Sequence, residues 1–285
     1  LIKIGYLGPA GTFTEEALLI VSHGLEIDPI AFLSVEDTAR AVETNKVDLG
    51  IIPIENSIEG SVNATLDMLI FESEVKIAGE VTHQINNCLL VNHGSSIEKI
   101  KEVFSHPHAL AQCRKHISSN LKKVTIRAVN STAEAARLAS EVGLNAAAIG
   151  NKAAAEIYGL EILQEHIEDF ADNETRFAIL SNKIPKKSKH DKTSIACFLF
   201  HDRPGSLLQM LQEFAFRYIN LTKIESRPSK RGLGQYVFLI DMEGHIDDPD
   251  ISSAIKCLTC KIDKVKFLGS YPRNVRTLSK IEGIL

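Results

Sequence analysis

Short apolar runs alternate with helical patterns along the first two thirds of the chain. Residues 2–6, 29–33 and 47–53 are brief, rich in β-branched side chains and bounded by turn formers, which predicts strands. Between and after them, residues 12–21, 34–43 and 61–71 repeat apolar positions at helical spacing. Two of these carry a start signal, because Thr12 with Glu15 and Ser34 with Asp37 place an N-cap acceptor three residues before an acid. Residues 75–91 predict one long extended segment. The alternation then resumes with a strand at Val103-Phe104, a helix from Pro107, a strand over 124–128, a helix from Ser131 and a strand over 146–149. Strands alternating with helices predict mainly parallel sheet covered on both faces. Two such series joined by one extended segment predict two α/β lobes with a cleft between them, and residues 176–180 predict a late strand returning to the first lobe.

Residues 185–192 contain four lysines and no apolar side chain except Pro185, so they read as a solvated linker. This divides the chain into a domain over 1–184 and a second over 193–285 that ends in a short basic tail after 272. The second domain predicts strand 193–201, helix 205–216, strands 219–227 and 235–242, helix 249–260 and strand 265–271. That βαββαβ order is the ferredoxin-like pattern, which by itself specifies no function.

With 285 residues, 44% of them hydrophobic, the chain can fill one large core or two ordinary ones. A net charge of −4 argues against a nucleic-acid binder that works by neutralising phosphates. No apolar run approaches the ~18 residues of a membrane span, and the N-terminus shows no signal-peptide pattern, so a cytoplasmic protein with a small-molecule partner is expected. Five scattered cysteines, Cys88, Cys113, Cys197, Cys257 and Cys260, read as reduced thiols. Cys257 and Cys260 form a C-x-x-C, but without a second pair or a nearby His; His106, His108 and His116 lack an acid at ligand spacing. No metal is expected, and no other cofactor.

Three polar loops carry chemical content. Residues 8–14 (GPAGTFT) let the backbone turn tightly into a helix whose free N–H groups suit an anion, yet they form neither a P-loop nor a G-x-G-x-x-G. Residues 53–61 (PIENSIEGS) and Ser105-His106-Pro107 follow strands at their carboxyl ends, where open α/β sheets bind ligands. One such loop is usually a cap and a turn; three in one domain point to a small anionic ligand. The run 172–177 (DNETRF) precedes the returning strand, and its Asn-Glu-Thr reads as a chance glycosylation sequon.

Together these stretches resemble the prephenate dehydratase family, through GPAGTFTEEA (8–17), IPIENSIEGSV (52–62), SHPHALAQC (105–113) and NETRF (173–177). The second domain resembles the family's ACT domain through RPGSLLQML (203–211) and IESRP (224–228). The resemblance implies a two-lobed, periplasmic-binding-protein-like catalytic domain followed by a ferredoxin-like ACT domain. With no helical chorismate mutase segment before residue 1, it also implies the monofunctional form. His108 stands where the family commonly has Gln, and Ser206 where its regulatory loop usually has Ala.

The implied reaction converts prephenate to phenylpyruvate with loss of CO2 and water, driven by aromatisation. Thr175 matches the catalytic threonine, whose hydroxyl would hydrogen-bond the departing oxygen rather than act as a free acid. Asn56, Ser105 and Gln112 match polar residues of the cleft, and Thr12, Phe13, Thr14, Ser57 and Phe177 fall in the substrate-binding stretches. Arg176 would either pair with a substrate carboxylate or form a salt bridge at the strand start. Glu55 is a second candidate proton donor if burial raises its pKa. In the ACT domain, Gly205, Ser206, Leu207 and Leu208 with Glu225, Ser226, Arg227 and Pro228 would form an L-phenylalanine site between paired domains of a homodimer or homotetramer. Arogenate dehydratase and a non-catalytic amino-acid sensor are the competing readings. Because the motif residues all precede the linker, a fragment 1–184 is expected to keep activity without a phenylalanine response.

Overall fold

Three β-sheets organise the computed structural model, which describes residues 1–199, 204–232 and 235–284. The first lobe is built from β1 (Ile2–Leu7), α1 (Phe13–Val21), β2 (Ile27–Phe32), α2 (Val35–Glu43), β3 (Leu49–Asn56), the two-residue β4 (Gly60–Ser61), α3 (Asn63–Asp67) and β5 (Lys76–Gln84). The second contains β6 (Cys88–Val91), β7 (Glu102–Ser105), α4 (Pro107–Gln112), α5 (Arg114–Asn120), β8 (Thr125–Ala128), α6 (Thr132–Val142), β9 (Ala146–Gly150), α7 (Lys152–Tyr158) and β10 (Glu161–Gln164). β11 (Glu174–Ser181) then returns to the first sheet, whose order is β2-β1-β3-β11-β5 with β4 paired to β3. The second sheet runs β10-β6-β9-β7-β8.

Both sheets are mixed, where the pattern predicted mainly parallel ones. β1, β2 and β3 are parallel, but β11 is antiparallel to β3 and β5; β7, β8 and β9 are parallel, but β6 is antiparallel to its neighbours β9 and β10. The antiparallel members are the strands by which the chain crosses between lobes. The extended segment 75–91 accordingly breaks at 85–87 into one strand for each sheet. The predicted helix 61–71 starts later, because Ser61 pairs back onto Glu55, and it ends in a π-helical turn over Met68–Glu72. The expected caps form: Thr12, Ser34 and Ser131 accept from the N–H groups of Glu15, Asp37 and Glu134. α7 and β10 lie beyond the elements that the pattern predicts. Among the described residues no helix is long and apolar enough to cross a membrane.

The third sheet consists of β12 (Asp191–Leu199), β13 (Leu221–Pro228), β14 (Tyr236–Glu243) and β15 (Lys264–Pro272), in the order β13-β14-β12-β15, all antiparallel. Helices α8 (Ser206–Ala215) and α9 (Pro249–Lys261) cover one face around Met210, Phe214, Ile240 and Leu258. His201, in the predicted first strand, and Arg203, in the 203–211 motif, lie outside the described residues. β12 begins inside the run read as a linker: Asp191 and Lys192 are buried, and only the residues before them remain solvated apart from Pro185.

The other face of this sheet is covered by the first lobe. Ala196, Phe198, Val237, Leu239, Leu268 and Tyr271 share one core cluster with Met68, Ile70, Val75, Ile77 and Leu180. Contact is close enough that a Cβ on Gly269 would fall 2.1 Å from the Ile77 carbonyl oxygen. The C-terminal tail leaves the third sheet altogether and buries Val275, Leu278, Ile281 and Ile284 against Ile4, Ala17, Ile51 and Val81 of the first lobe. A fragment 1–184 would therefore expose both apolar surfaces to water, which contradicts the premise on which it was expected to function.

Two measurements follow from this packing. Leu278→Ala should lower unfolding stability by about 2–5 kcal/mol, since the side chain is fully enclosed in a lobe distant from it in sequence; denaturant unfolding with a loss under about 0.5 kcal/mol would place the tail outside the core. Tyr271 is wholly buried, and burial, with Asp241 and Glu80 nearby, raises its phenol well above the ordinary value of 10. Its contribution is thus complete below pH 10 and declines as pH rises toward the folded-state pKa, because the unfolded chain deprotonates first. The melting temperature of Tyr271→Phe should fall less steeply between roughly pH 10 and 11 than that of the parent; equal slopes would exclude this linkage.

Candidate active site

β3 and β11 are paired with Thr175 opposite Asn56 and Arg176 opposite Glu55. Since successive side chains in a strand point to opposite faces, this register sorts the four residues into two pairs. Asn56 and Thr175 lie on the face toward the second lobe, as their partners there show. Glu55 and Arg176 lie on the face toward the third sheet.

On the first face, Asn56 Nδ2 donates to Thr175 Oγ1 (2.9 Å) and Asn173 Oδ1 (2.8 Å). Asn173 Nδ2 in turn donates to Oε1 of Gln112, the last residue of α4 in the second lobe, at 2.9 Å. The chain Gln112–Asn173–Asn56–Thr175 therefore spans both lobes. Asn56 Oδ1 accepts from the N–H groups of Ile58 and Glu59, so the turn after β3 fixes which way the amide faces. Because Thr175 Oγ1 is an acceptor toward Asn56, its own hydrogen is left to donate elsewhere, and no described residue accepts it.

The other polar loops come to the same junction with different roles. Ser57 exchanges hydrogen bonds with the backbone of Asp172 and Glu174, pinning the segment before β11. Ser105 is fully buried at the end of β7 and donates to the Ile149 carbonyl of β9 at 2.7 Å, so its hydroxyl binds the sheet. Thr12 caps α1 and donates to the Leu7 carbonyl, while Thr14 is buried in the first turn of the helix. Glu15 reaches back to the Gly11 N–H (2.6 Å) and the Tyr6 hydroxyl (2.8 Å). Gly11, at φ 84°, brings this loop against α7 of the second lobe, where a Cβ would sit 3.3 Å from Ala154 Cα. Burial and the adjacent His108 hold the His106 imidazole below its ordinary pKa, with Glu59 opposing them.

Phe177, Phe13, Arg176 and Glu55, expected at the cleft, are turned elsewhere. Phe177, 1% exposed, and Phe13 pack into the first-lobe core rather than lining the cleft. Arg176 makes the salt bridge of its alternative reading: its guanidinium lies 3.0 Å from Asp241, 3.1 Å from Glu80 and 3.3 Å from Glu55. Burial disfavours its charge, but the three carboxylates outweigh that and keep it protonated. Lys192 donates to both Glu80 oxygens at 2.9 Å, and Ser194 donates to the other Asp241 oxygen at 2.6 Å. Glu55 is ion-paired to Lys223 (2.9 Å), facing away from Thr175 and so from the position of a proton donor.

In the third sheet, β13 is an edge strand with its own two faces. Ser226 and Pro228 are exposed beside the helical layer, and Leu207 and Leu208 project from the start of α8, 40% and 60% exposed. Gly205 precedes that helix at φ 87° with open space where a side chain would be, and Ser206 is its first residue. Glu225 and Arg227 point the other way, to Ser61 and to Asn63 and Asp67, so they hold the first lobe instead of the predicted effector face. Sequence reasoning missed Asn173, although it begins the NETRF stretch, and it missed Glu80 and Asp241, charged residues in otherwise apolar strand runs. The free cysteines include Cys257 and Cys260, i,i+3 neighbours on α9; among the described residues no group of three or more His, Cys, Asp or Glu is placed to hold a metal.

Comparison with known proteins agrees with this arrangement. Residues 4–185 match the family Prephenate dehydratase, and residues 195–256 match the family ACT domain. The prephenate dehydratase of Bacillus subtilis is 39% identical over 282 residues, covering 95% of this chain and 98% of that protein. The bifunctional chorismate mutase/prephenate dehydratase of Aquifex aeolicus is 44% identical over 272 residues, 95% of this chain and 74% of its own. A crystal structure of the Arthrobacter aurescens prephenate dehydratase in complex with L-Phe superposes with a TM-score of 0.89 at 36% identity, covering 96% of this chain and 91% of that one. On the strength of these matches over both parts of the chain, the protein belongs to the prephenate dehydratase family and carries the ACT domain after its dehydratase region.

Proposed function

We propose that the junction of the two lobes converts prephenate to phenylpyruvate, and that L-phenylalanine, the amino acid to which this product leads, regulates it through the ACT domain. The observation that carries the catalytic part is the free donor on Thr175, held by Asn56 at a point where both lobes meet. As the ring C–O bond breaks, the bond to the ring carboxylate breaks with it, CO2 departs, and the electrons of that bond complete the aromatic ring. The oxygen leaves with negative charge, as hydroxide, and becomes water by taking a proton from hydronium or a buffer acid in the solvent. Thr175 stabilises that developing charge by hydrogen bonding, which a hydroxyl far too weak to ionise can do. Asn56, Asn173 and Gln112 keep the donor aimed, so little reorganisation is needed when the charge appears. Thr12, Thr14 and Ser57 supply the neighbouring loop surfaces for the substrate's carboxylates, with the amides at the start of α1. A sensor would have no use for an aimed, unaccepted donor, which favours the enzyme.

For regulation, the exposed start of α8 and the outer face of β13 supply what an amino acid needs: helix-start amides for its carboxylate and Leu207 and Leu208 for its ring. The same region exposes Ile224 on the edge strand β13 and Tyr236 on its neighbour β14, so pairing of two ACT domains into a homodimer or homotetramer would cover it. A ligand bound between them shifts the enzyme only as far as it prefers one arrangement.

Thr175→Ala should lower kcat by roughly 10²-fold or more, the usual loss for one donor to a developing oxyanion, and Thr175→Ser should retain more. Prephenate turnover, followed beside arogenate turnover, checks both; near-parental kcat in Thr175→Ala would remove this residue from the reaction, and turnover of arogenate alone would reassign the substrate. Gly205→Val forces a branched side chain into the left-handed region, at about 1–3 kcal/mol of strain. Calorimetry should then show phenylalanine binding lost, together with its effect on turnover. Unchanged binding in the variant would move the effector site elsewhere.

A further inference from the structure

The inner face of β13 grips one continuous piece of the first lobe, the β3–β4 hairpin and the short helix α3 over residues 55–67. Lys223 Nζ lies 2.9 Å from Glu55 Oε1 and 2.6 Å from Ser61 Oγ, so it bridges the two arms of the β3–β4 hairpin. Glu225 accepts from the same Ser61 hydroxyl, and Arg227 binds Asn63 and Asp67 at the following helix. The hairpin so held contains Asn56, whose Oδ1 is bonded to the turn amides of Ile58 and Glu59. The orientation of the Asn56 amide, and through it that of the Thr175 hydroxyl, depends on the shape of that hairpin.

We infer that Lys223, a residue of the ACT domain, is a positioning residue for the dehydratase reaction, acting through Glu55 on Asn56. This rests on the reading of Asn56 and Thr175 given above and extends it to a residue outside the catalytic lobes. Its side chain is 11% exposed, shielded enough that the pair with Glu55 fixes geometry, unlike a screened surface pair. It also supplies a path for regulation with little distance to cover. Ile224 and Ser226, on the outer face of β13, are chain neighbours of Lys223 and Glu225 on the inner one, so a ligand that shifts this strand shifts the hairpin's anchor.

The test uses the full chain, three single variants and one double variant. Lys223→Met keeps the aliphatic stem and removes the charge, and Lys223→Arg restores a cation. Glu55→Gln, alone and combined with Lys223→Met, closes a double-mutant cycle. Lys223→Met should lower kcat roughly tenfold, as expected for slight misplacement of a reacting group, with KM for prephenate moving less than about twofold. Lys223→Arg should recover most of the loss, and the double variant should be no slower than Glu55→Gln. Phenylalanine binding by calorimetry should persist in Lys223→Met while its effect on turnover weakens. Parental kcat in Lys223→Met, effects that multiply in the double variant, or a loss that Lys223→Arg fails to recover would each overturn the assignment. A parent that turns over prephenate while Lys223→Met behaves like it overturns this inference alone; a parent inactive on prephenate overturns the function it rests on as well.

Discussion

The register between β3 and β11 is the constraint on which the rest of this molecule depends. One antiparallel pairing sets Thr175 against Asn56 and Arg176 against Glu55. A slip by one residue would exchange the faces, turning the guanidinium into the cleft and the hydroxyl toward the ACT domain. Three features oppose such a slip. The bulge between Arg176 and Phe177 seats Phe177 in the first-lobe core, Ser57 ties the approach to β11, and the buried charge cluster accepts only Arg176.

That charge cluster and the apolar surface around it contribute in different ways. Burial of Phe198, Leu239, Leu268 and Tyr271 against Ile70 and Ile77 gives the ACT domain its affinity for the first lobe, in proportion to area and without directional preference. The pairs among Arg176, Glu80, Lys192 and Asp241 add little net attraction once their desolvation is counted, but each is expensive to leave unpaired. Their effect is to select one docking orientation from those the apolar surface would tolerate. Placing the cluster immediately behind β3 and β11 means that the same selection fixes those strands.

Much of this was legible in the sequence because it rests on local signals. The capped helices, the βαββαβ order and the polar loops each show in a few adjacent residues, and Asn56, Gln112 and Thr175 stood out as polar groups in motifs. What failed depends on partners remote along the chain. Lys192 looks solvated in a lysine-rich run until Glu80 is brought to it, and the tail looks disposable until Leu278 meets Ile4 and Ile51. Arg176 had two readings that only its face could separate, and the alternation of β11 separates them. Asn173 was passed over because its value comes from bridging Gln112 to Asn56, residues 61 and 117 positions away.

The two-faced strand recurs as the way this protein joins its parts. β11 presents a donor to the cleft and a guanidinium to the ACT domain; β13 presents lysine and arginine to the first lobe and small or apolar residues outward. Between them, the β3–β4 hairpin receives a contact on each side, from Thr175 in front and Lys223 behind. A strand is stiff along its length yet carries independent chemistry on each face, so two such strands can connect the outer face of β13 to the Thr175 hydroxyl through few side chains. This explains why the ACT domain lies flat against the catalytic sheet: a domain hung on a flexible linker would leave Lys223 with no fixed relation to Glu55. The buried start of β12 and the tail that doubles back onto the first lobe secure that relation at both ends of the domain.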